Sequence, residues 1–335
     1  MTHIAHDEEN AVDDPRAAID QLAEATIAAL RAPSILNTQP WRWALVNDTA
    51  ELWIERDRRL THLDPDGRLL TLSCGVALDH AVTALHAGGH AGEVVRFGDD
   101  SRPDLVATVR RGHPITPEWD RYQAIYTRRT DRRPFADEPP TDEHLAALRT
   151  AAERHGIHLH VVTHDQLTAF AAAVSKAGRI EHAEADLASD VHTWTTRPAV
   201  ARDGVPLPTT AQPGERTVQP RDLSGDRPAG LSADATHDAG AAYLVLFADT
   251  DEPHDWLRAG EALSDVWLTL TAQGLAASPI SEVVEVDATR VELRRLLGDI
   301  GYPMVAIRAG TPIEEQGRPP ASPRRLASDV IELPR

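Results

Sequence analysis

A chain of 335 residues with a net charge of −18 and one cysteine, Cys74, has no disulfide framework and no basic surface for nucleic acid or an anionic membrane. Its longest apolar run, residues 239–248, is far short of the ~20 residues of a membrane helix, and residues 1–10 are too polar and acidic for a secretory signal. The composition therefore points to a protein of a reducing cytoplasm, long enough for two structural units.

Residues 1–14 read as a disordered acidic tail. An amphipathic helix is expected over 17–31, with Ile19, Leu22, Ile27 and Leu30 on its apolar side. Pro33 ends it and opens a stiff polar loop, Pro33-Ser34-Ile35-Leu36-Asn37-Thr38-Gln39-Pro40-Trp41, that leads into strands at 43–47 and 52–55. A charged loop with the turn string Asp64-Pro65-Asp66-Gly67 precedes a helix over 72–87, apolar enough to be buried on most sides. Strands at 94–97 and 105–110 follow, then a helix at 118–128 running into Arg128-Arg129-Thr130-Asp131-Arg132-Arg133. Thr141 with His144 caps a helix over 141–155, and 157–162 is a strand. Residues 165–194 hold one or two helices, and 198–231 is a Pro/Gly-rich stretch without periodicity, the pattern of a lid or arm. A buried strand at 241–248, a long helix at 260–273, a turn and extended stretch at 278–286, a strand at 304–308 and a Pro/Arg-rich tail complete the order.

Two segments match at a constant offset of 185: Gly75, Leu78, Leu85, Ala87 and Gly89 answer to Gly260, Leu263, Leu270, Ala272 and Gly274. Upstream, helix-then-strand 17–46 answers to 133–162 at an offset near 116. The offset grows by 69, so the second unit carries an insertion of that size. The organisation expected is a first α+β repeat at 15–115 and a second at 116–335, with a lid insertion at about 175–238. The copies are complementary, because the first holds the polar loop and the second the arginine cluster.

Other chemistry-bearing residues read as structural. His80, His86 and His90 lack a common-face metal spacing, and His155, His158, His160 and His164 flank a strand. Cys74 sits in a core helix and is expected to be inert. Trp41, Trp43 and Trp53 read as core, while Trp194 is a candidate to cover a bound ring.

Together, Ala32-Pro33-Ser34 with Asn37, Gln39, Pro40 and Trp41, then Asp64-Pro65 with Gly67-Arg68, Ser73-Cys74-Gly75, Arg128 to Arg132, Gly274-Leu275-Ala276-Ala277-Ser278-Pro279 and Pro323-Arg324-Arg325 resemble the flavin-dependent nitroreductase fold, most closely its Acg-like branch. The resemblance covers about residues 17–330. It implies an α+β nitroreductase-like fold, here two tandem repeats forming an intramolecular pseudo-dimer. With one polar loop and one arginine cluster, such a chain completes one FMN site.

In that reading Arg128 and Thr130 hold the FMN phosphate, with Arg324 or Arg325 closing over it from the tail. Arginine forks suit a phosphate dianion. Arg132 lies toward the flavin N1/O2 edge, where a cation favours the anionic reduced ring. Ser34, Asn37, Thr38 and Gln39 bond the ribityl chain, the phosphate or the ring edge. Ser278, Pro279 and Ser281 meet the ring near O4 and N5. The resemblance implies an NAD(P)H-dependent oxidoreductase passing hydride through flavin N5 to a nitroaromatic or quinone-like acceptor, with no catalytic residue assigned. The rival reading is an FMN-sequestering protein whose lid keeps nicotinamide out, and a weaker third is a structural protein without flavin. No metal is expected, and a fused pseudo-dimer is expected as a monomer, with further homodimerisation open.

Overall fold

Two helices that touch through glycine hold the molecule together. In the computed structural model, which describes residues 15–211, 216–231 and 238–333, α2 (Arg68–Ala87) crosses α7 (Pro253–Ala272) at Gly75 and Gly260. A methyl group on Gly75 would lie 2.0 Å from the Leu257 carbonyl oxygen, and one on Gly260 would lie 1.9 Å from that of Leu72. No side chain fits at either position, so the two backbones are in contact. The contact is reciprocal: Leu72 and Leu257 stand at the same offset of 185 as the two glycines. Both helices finish before a glycine in left-handed backbone, Gly89 at φ 78° and Gly274 at φ 78°.

The sequence dictates α2 in two ways. Its apolar residues fall on all sides, so it is buried almost throughout. It is also capped by the turn ahead of it, since the Asp64 carboxylate accepts from the N–H groups of Leu69 (3.0 Å) and Leu70 (2.8 Å). Among the described residues α2 is the one helix long and apolar enough to cross a membrane, and 83% of that stretch is buried inside the protein.

Before α2 come α1 (Pro15–Ala29), β1 (Trp41–Val46) and β2 (Thr49–Ile54); after it come β3 (His90–Arg96), β4 (Leu105–Pro114) and α3 (Trp119–Thr127). The chain continues with α4 (Asp142–Glu153), β5 (His158–Val161), α5 (Leu167–Ala183), α6 (Ala185–Thr195) and β6 (Ala242–Ala248). Beyond α7 lie β7 (Ala276–Ile280), α8 (Glu282–Glu285), α9 (Asp287–Leu296), β8 (Tyr302–Gly310), α10 (Ala327–Val330) and β9 (Ile331–Glu332). One sheet has the order β3-β4-β2-β1-β9 and the other β5-β6-β8-β7. Leaving β9 aside, the two orders are the same when each sheet's strands are taken in chain order. The counterpart of the short β1–β2 turn is the long excursion between β5 and β6 that contains α5, α6 and the irregular arm. A single apolar core runs through both sheets, from Leu22, Trp41 and Trp43 to Leu246, Trp267 and Met304.

Several expectations are met: the predicted Thr141–His144 capping box closes α4, and Cys74 is fully buried, its thiol pushed well up by burial. Others need correction. The long second-half helix begins at Pro253, where Glu252 and Asp255 form a capping box, and not at Gly260. The stretch 278–286 is the end of β7 followed by the short helix α8, reversing the expected order of turn and extended chain. Helix α9 has no counterpart in the expectations. Trp53 is half-buried and lies between the guanidinium groups of Arg42 (5.3 Å) and Arg102 (5.6 Å). The acidic segment 1–14 and parts of the expected lid, 212–215 and 232–237, lie outside the described residues.

Candidate active site

The polar loop holds three of the seven non-glycine residues with positive φ among the described residues. Leu36, Asn37 and Gln39 have φ of 41°, 55° and 49°, left-handed values that non-glycine residues adopt at a cost of ~1–3 kcal/mol each. Hydrogen bonds hold them there. The Ser34 hydroxyl accepts from the Gln39 N–H (2.8 Å), and the Ser73 hydroxyl on α2 accepts from the Ile35 N–H (3.1 Å). Asn37 Nδ2 donates to the carbonyls of Gly204 (2.9 Å) and Pro323 (3.2 Å), while its Oδ1 accepts from Arg324 Nη1 (3.0 Å). Gln39 Nε2 donates to Arg202 (3.0 Å), and its Oε1 accepts from the Arg325 N–H (2.8 Å). The loop therefore fastens the arm and the C-terminal segment to the first sheet.

Between this loop, α2, β7 and the arm lies a cleft of about 1200 Å³, counted out to its open mouth. Its floor is apolar, with Leu69, Leu72 and Val76 from α2 and Leu263 and Trp267 from α7. Val205, Val218, Pro220 and Leu223 of the arm form its cover. At one pole stands Arg128, only 6% exposed, its guanidinium 4.5 Å above the Trp267 ring. Its Nε and Nη1 have no hydrogen-bond partner. Burial, and then the neighbouring charges of Arg324 and Arg129, push its pKa well below the ordinary arginine value. Arg324 borders the same pole and is pushed down to about 10 by burial and by Arg31 and Arg129. A buried guanidinium with unused donors, whose charged neighbours among the described residues are cations, lacks an anion.

Farther along, Arg132 donates to the Thr209 carbonyl (2.9 Å). Burial brings its pKa down to about 10, against a partly compensating pull from Glu282. Arg216 of the arm, 5% exposed, donates to the Arg132 carbonyl (2.9 Å) and leaves Nε and Nη2 unused. Glu282, 3% exposed and on the cleft wall, is a carboxyl whose pKa burial pushes up to about 7. Beside it, Arg221 of the arm pairs with Glu181 (2.7 Å) on α5 and Glu285 (2.8 Å) on α8. The segment carrying Arg128 to Arg133 is held in place by Arg308, whose Nη2 donates to the Asp131 carbonyl (2.9 Å), and by the Asp131 N–H, which donates to Ala277 of β7 (3.0 Å).

Residues 125–310, more than half of the chain, match the family model described as the nitroreductase family. A Mycobacterium tuberculosis (strain H37Rv) protein provisionally named an NAD(P)H nitroreductase is 38% identical over 320 residues, covering 91% of this chain and 89% of the relative. The chain belongs to the nitroreductase family. A second relative from the same organism, the provisionally named NAD(P)H nitroreductase acg, is 31% identical over 330 residues, covering 96% of this chain and 98% of its own. Among solved structures, the FMN- and NADPH-dependent nitroreductase NfnB of a Sphigopyxis strain aligns at 19% identity with a TM-score of 0.41, covering 63% of this chain and 97% of that one. The FMN-dependent NfnB of Mycobacterium smegmatis, solved with NADPH, aligns at 18% identity with a TM-score of 0.39, over 65% and 99% of the two chains.

In this family member, nine of the residues singled out from the sequence line the cleft: Ser34, Asn37, Arg128, Thr130, Arg132, Ser278, Pro279, Ser281 and Arg324. Three others do not. The Thr38 carbonyl accepts from Arg58 Nε (2.7 Å), Gln39 is taken up by Arg202 and Arg325, and Arg325 pairs with Glu55 on the far side of the loop. Trp194 also stands away from the cleft and anchors the arm in a small core with Leu36, Leu60 and Leu63. Sequence reasoning passed over Glu282, Arg216 and Arg221, and it gave Ser73 a place in a motif but not its role of accepting from the Ile35 N–H. The arm arginines sit in a stretch with no periodicity to mark them.

Proposed function

We propose that the cleft binds one FMN per chain and serves an NAD(P)H-dependent oxidoreductase of nitroreductase type, with a nitroaromatic or quinone-like acceptor. The observation that carries this is the Arg128 pole, a buried guanidinium with unused Nε and Nη1 donors beside Arg324 and, among the described residues, with no carboxylate paired to it. A phosphate dianion supplies what that pole lacks. Arg128, Thr130 and Arg324 are the residues that would hold it, and Arg132 with Ser278, Pro279 and Ser281 would border the ring. When bound, the flavin supplies hydride transfer at N5. The apolar floor and the cover of the arm would shield the ring from water. The relatives' names, NAD(P)H nitroreductase, support the same class.

The same strand order in the two sheets and the reciprocal glycine contact support reading the chain as two fused copies of one unit, divided near residue 115. In that reading the single polar loop and single arginine pole make one site, in a monomer that lives in the reducing cytoplasm its lone cysteine suggests.

One observation favours the sequestering alternative. The arm is fixed over the cleft by Asn37 at Gly204, by Asp190 accepting from the N–H groups of His62 (2.7 Å) and Leu63 (3.0 Å), and by Asp203 held between Arg58 and Arg197. The two readings part in one assay. The FMN-loaded protein is mixed anaerobically with NADH or NADPH and the flavin absorbance is followed. Rapid bleaching rejects sequestration; bleaching by dithionite alone rejects the oxidoreductase.

A further inference from the structure

The arginines at the phosphate pole do not stop at the wall of the cleft. Arg128 also lines a second pocket, together with Thr127, Arg129, Gly317, Arg318 and Asp131, whose carboxylate is taken up by Arg133 (2.7 Å). Arg129 is half-buried and Arg318 exposed, and Arg31 lies alongside with its guanidinium 5.4 Å above the Tyr126 ring. The charges are close enough to disfavour one another. Arg129 is pushed down by burial and by Arg318 and Arg31, and Arg324 by burial and by Arg31 and Arg129. Among the described residues none of these five arginines is in an ion pair, although Glu314 and Glu315 stand exposed one turn away. In a chain of net charge −18 this is an uncompensated basic track, running from the interior to the surface. It is bordered on the outside by the ring of Tyr126, itself edge-on to Tyr122 at 5.3 Å and 39% exposed.

One phosphate satisfies the Arg128 and Arg324 end of the track; at the outer end Arg129 Nη1 donates to the carbonyls of Tyr126 (3.0 Å) and Arg128 (2.7 Å), and its charge meets no anion among the described residues. We infer that Arg129, Arg318 and Arg31 form a second phosphate subsite continuous with the first, so that the chain takes a flavin dinucleotide as well as FMN. Arg128 and Arg324 would serve one phosphate, Arg129 and Arg318 the next, and the aromatic side chains of α3 would lie beside the adenosine. Tyrosine faces and arginine planes are the surfaces on which an adenine base stacks. The inference rests on the flavin reading of the cleft and goes beyond it in naming the ligand's outer half.

The test is calorimetric titration of the full chain, stripped of flavin, with FMN and with FAD, for the wild type and for the double variant Arg129→Ala/Arg318→Ala. Neither side chain contributes to the core. The expected result is FAD binding at least as tight as FMN in the wild type, with a loss of tenfold or more for FAD and less than twofold for FMN in the variant. FAD binding tenfold or more weaker than FMN in the wild type overturns the inference and leaves the FMN reading standing; so does an equal loss of both flavins in the variant. If neither flavin binds, the flavin reading itself falls. A third arm adds 2′,5′-ADP to the FMN-loaded protein. Binding that the double variant abolishes would assign the outer arginines to a nicotinamide dinucleotide, overturning the flavin assignment.

Discussion

The crossing of α2 and α7 predicts an unusual asymmetry among glycines. Gly75→Ala places a methyl group 2.0 Å from the Leu257 carbonyl oxygen, where ordinary contact begins at 3.4 Å. The helices must therefore part by about 1.4 Å, and the obstructing atom is backbone, which cannot swing aside as a side chain can. Overpacking of this kind costs roughly 3 kcal/mol, at the upper end of the usual range. Alanine returns about 1 kcal/mol through its better helix propensity, which leaves a net loss of about 2 kcal/mol. Unfolding entropy of about 2.1 cal/mol/K per residue translates this into a Tm lowered by roughly 3 °C for a chain of this length. Gly178, exposed on α5, is the control. Nothing lies within 4 Å of a methyl placed there, so Gly178→Ala stabilises by ~0.5–1 kcal/mol. Thermal unfolding followed by circular dichroism reads both. The double variant Gly75→Ala/Gly260→Ala should lose less than the sum of the singles, since helices already parted admit the second methyl cheaply. A Gly75→Ala protein that melts at or above the wild-type temperature refutes backbone contact at the crossing.

Four further outcomes follow from the site. Arg128→Ala should weaken FMN binding by about 2 kcal/mol, roughly thirtyfold, whereas Arg325→Ala, outside the cleft, should leave it nearly unchanged; titration calorimetry distinguishes them. Glu282 is held protonated by burial up to about pH 7, so the native state binds more protons than the unfolded chain between the ordinary glutamate range and that value. Stability should therefore fall as pH rises through this window, and in Glu282→Gln the fall should flatten; a wild-type slope retained in the variant sinks the assignment. His155 is also raised: burial opposes its charge, but the hydrogen bond to Asp265 and the charges of Asp79, Glu261 and Asp265 outweigh it. Its contribution should be complete below the unfolded histidine pKa of about 6.5 and be lost as pH rises through the higher folded value, a loss absent from His155→Gln. Asn37→Ala removes the side chain that bonds Gly204, Pro323 and Arg324, so hydrogen exchange in residues 196–211 should accelerate while α2 stays protected.

The parts of the fold that were legible in the sequence rest on local signals. The apolar surround of α2, the Thr141–His144 cap and the glycine endings of α2 and α7 are each written within a few neighbouring residues. The turn string at Asp64 was legible as a turn but not as a helix cap, because its meaning lies in which way one carboxylate points. Helix α9 was hidden by its own charge: Arg290, Glu292, Arg294 and Arg295 leave only a thin apolar stripe, buried at Leu293. The cleft shows the same division. The arginine run and the polar loop announced themselves, yet the partners of Asn37 and Gln39 lie at residues 202–204 and 323–325, on distant segments with no repeat to flag them. Amides that a local reading assigns to a ligand are thus consumed by the chain itself. Glu282 acquires its raised pKa only from burial among groups on the arm, α5 and α8, which no spacing rule encodes.

The short strand β9 pairs in parallel with β1, Trp43 against Ile331 and Ala44 against Glu332, and forms the outer edge of the first sheet. The strand that opens that sheet thus finds its last neighbour almost 290 residues later, and Arg324, which braces Asn37, arrives just ahead of it. During synthesis the first sheet must wait with β1 as an open edge until residue 332 has left the ribosome. The anion pole of the cleft is completed in the same late event. A nascent chain halted before residue 322 would have its central helices and both sheets, yet would expose a sticky strand and lack part of its cation pair. Maturation of the binding site is in this way timed by the arrival of residues 324–332 rather than by the folding of the earlier elements.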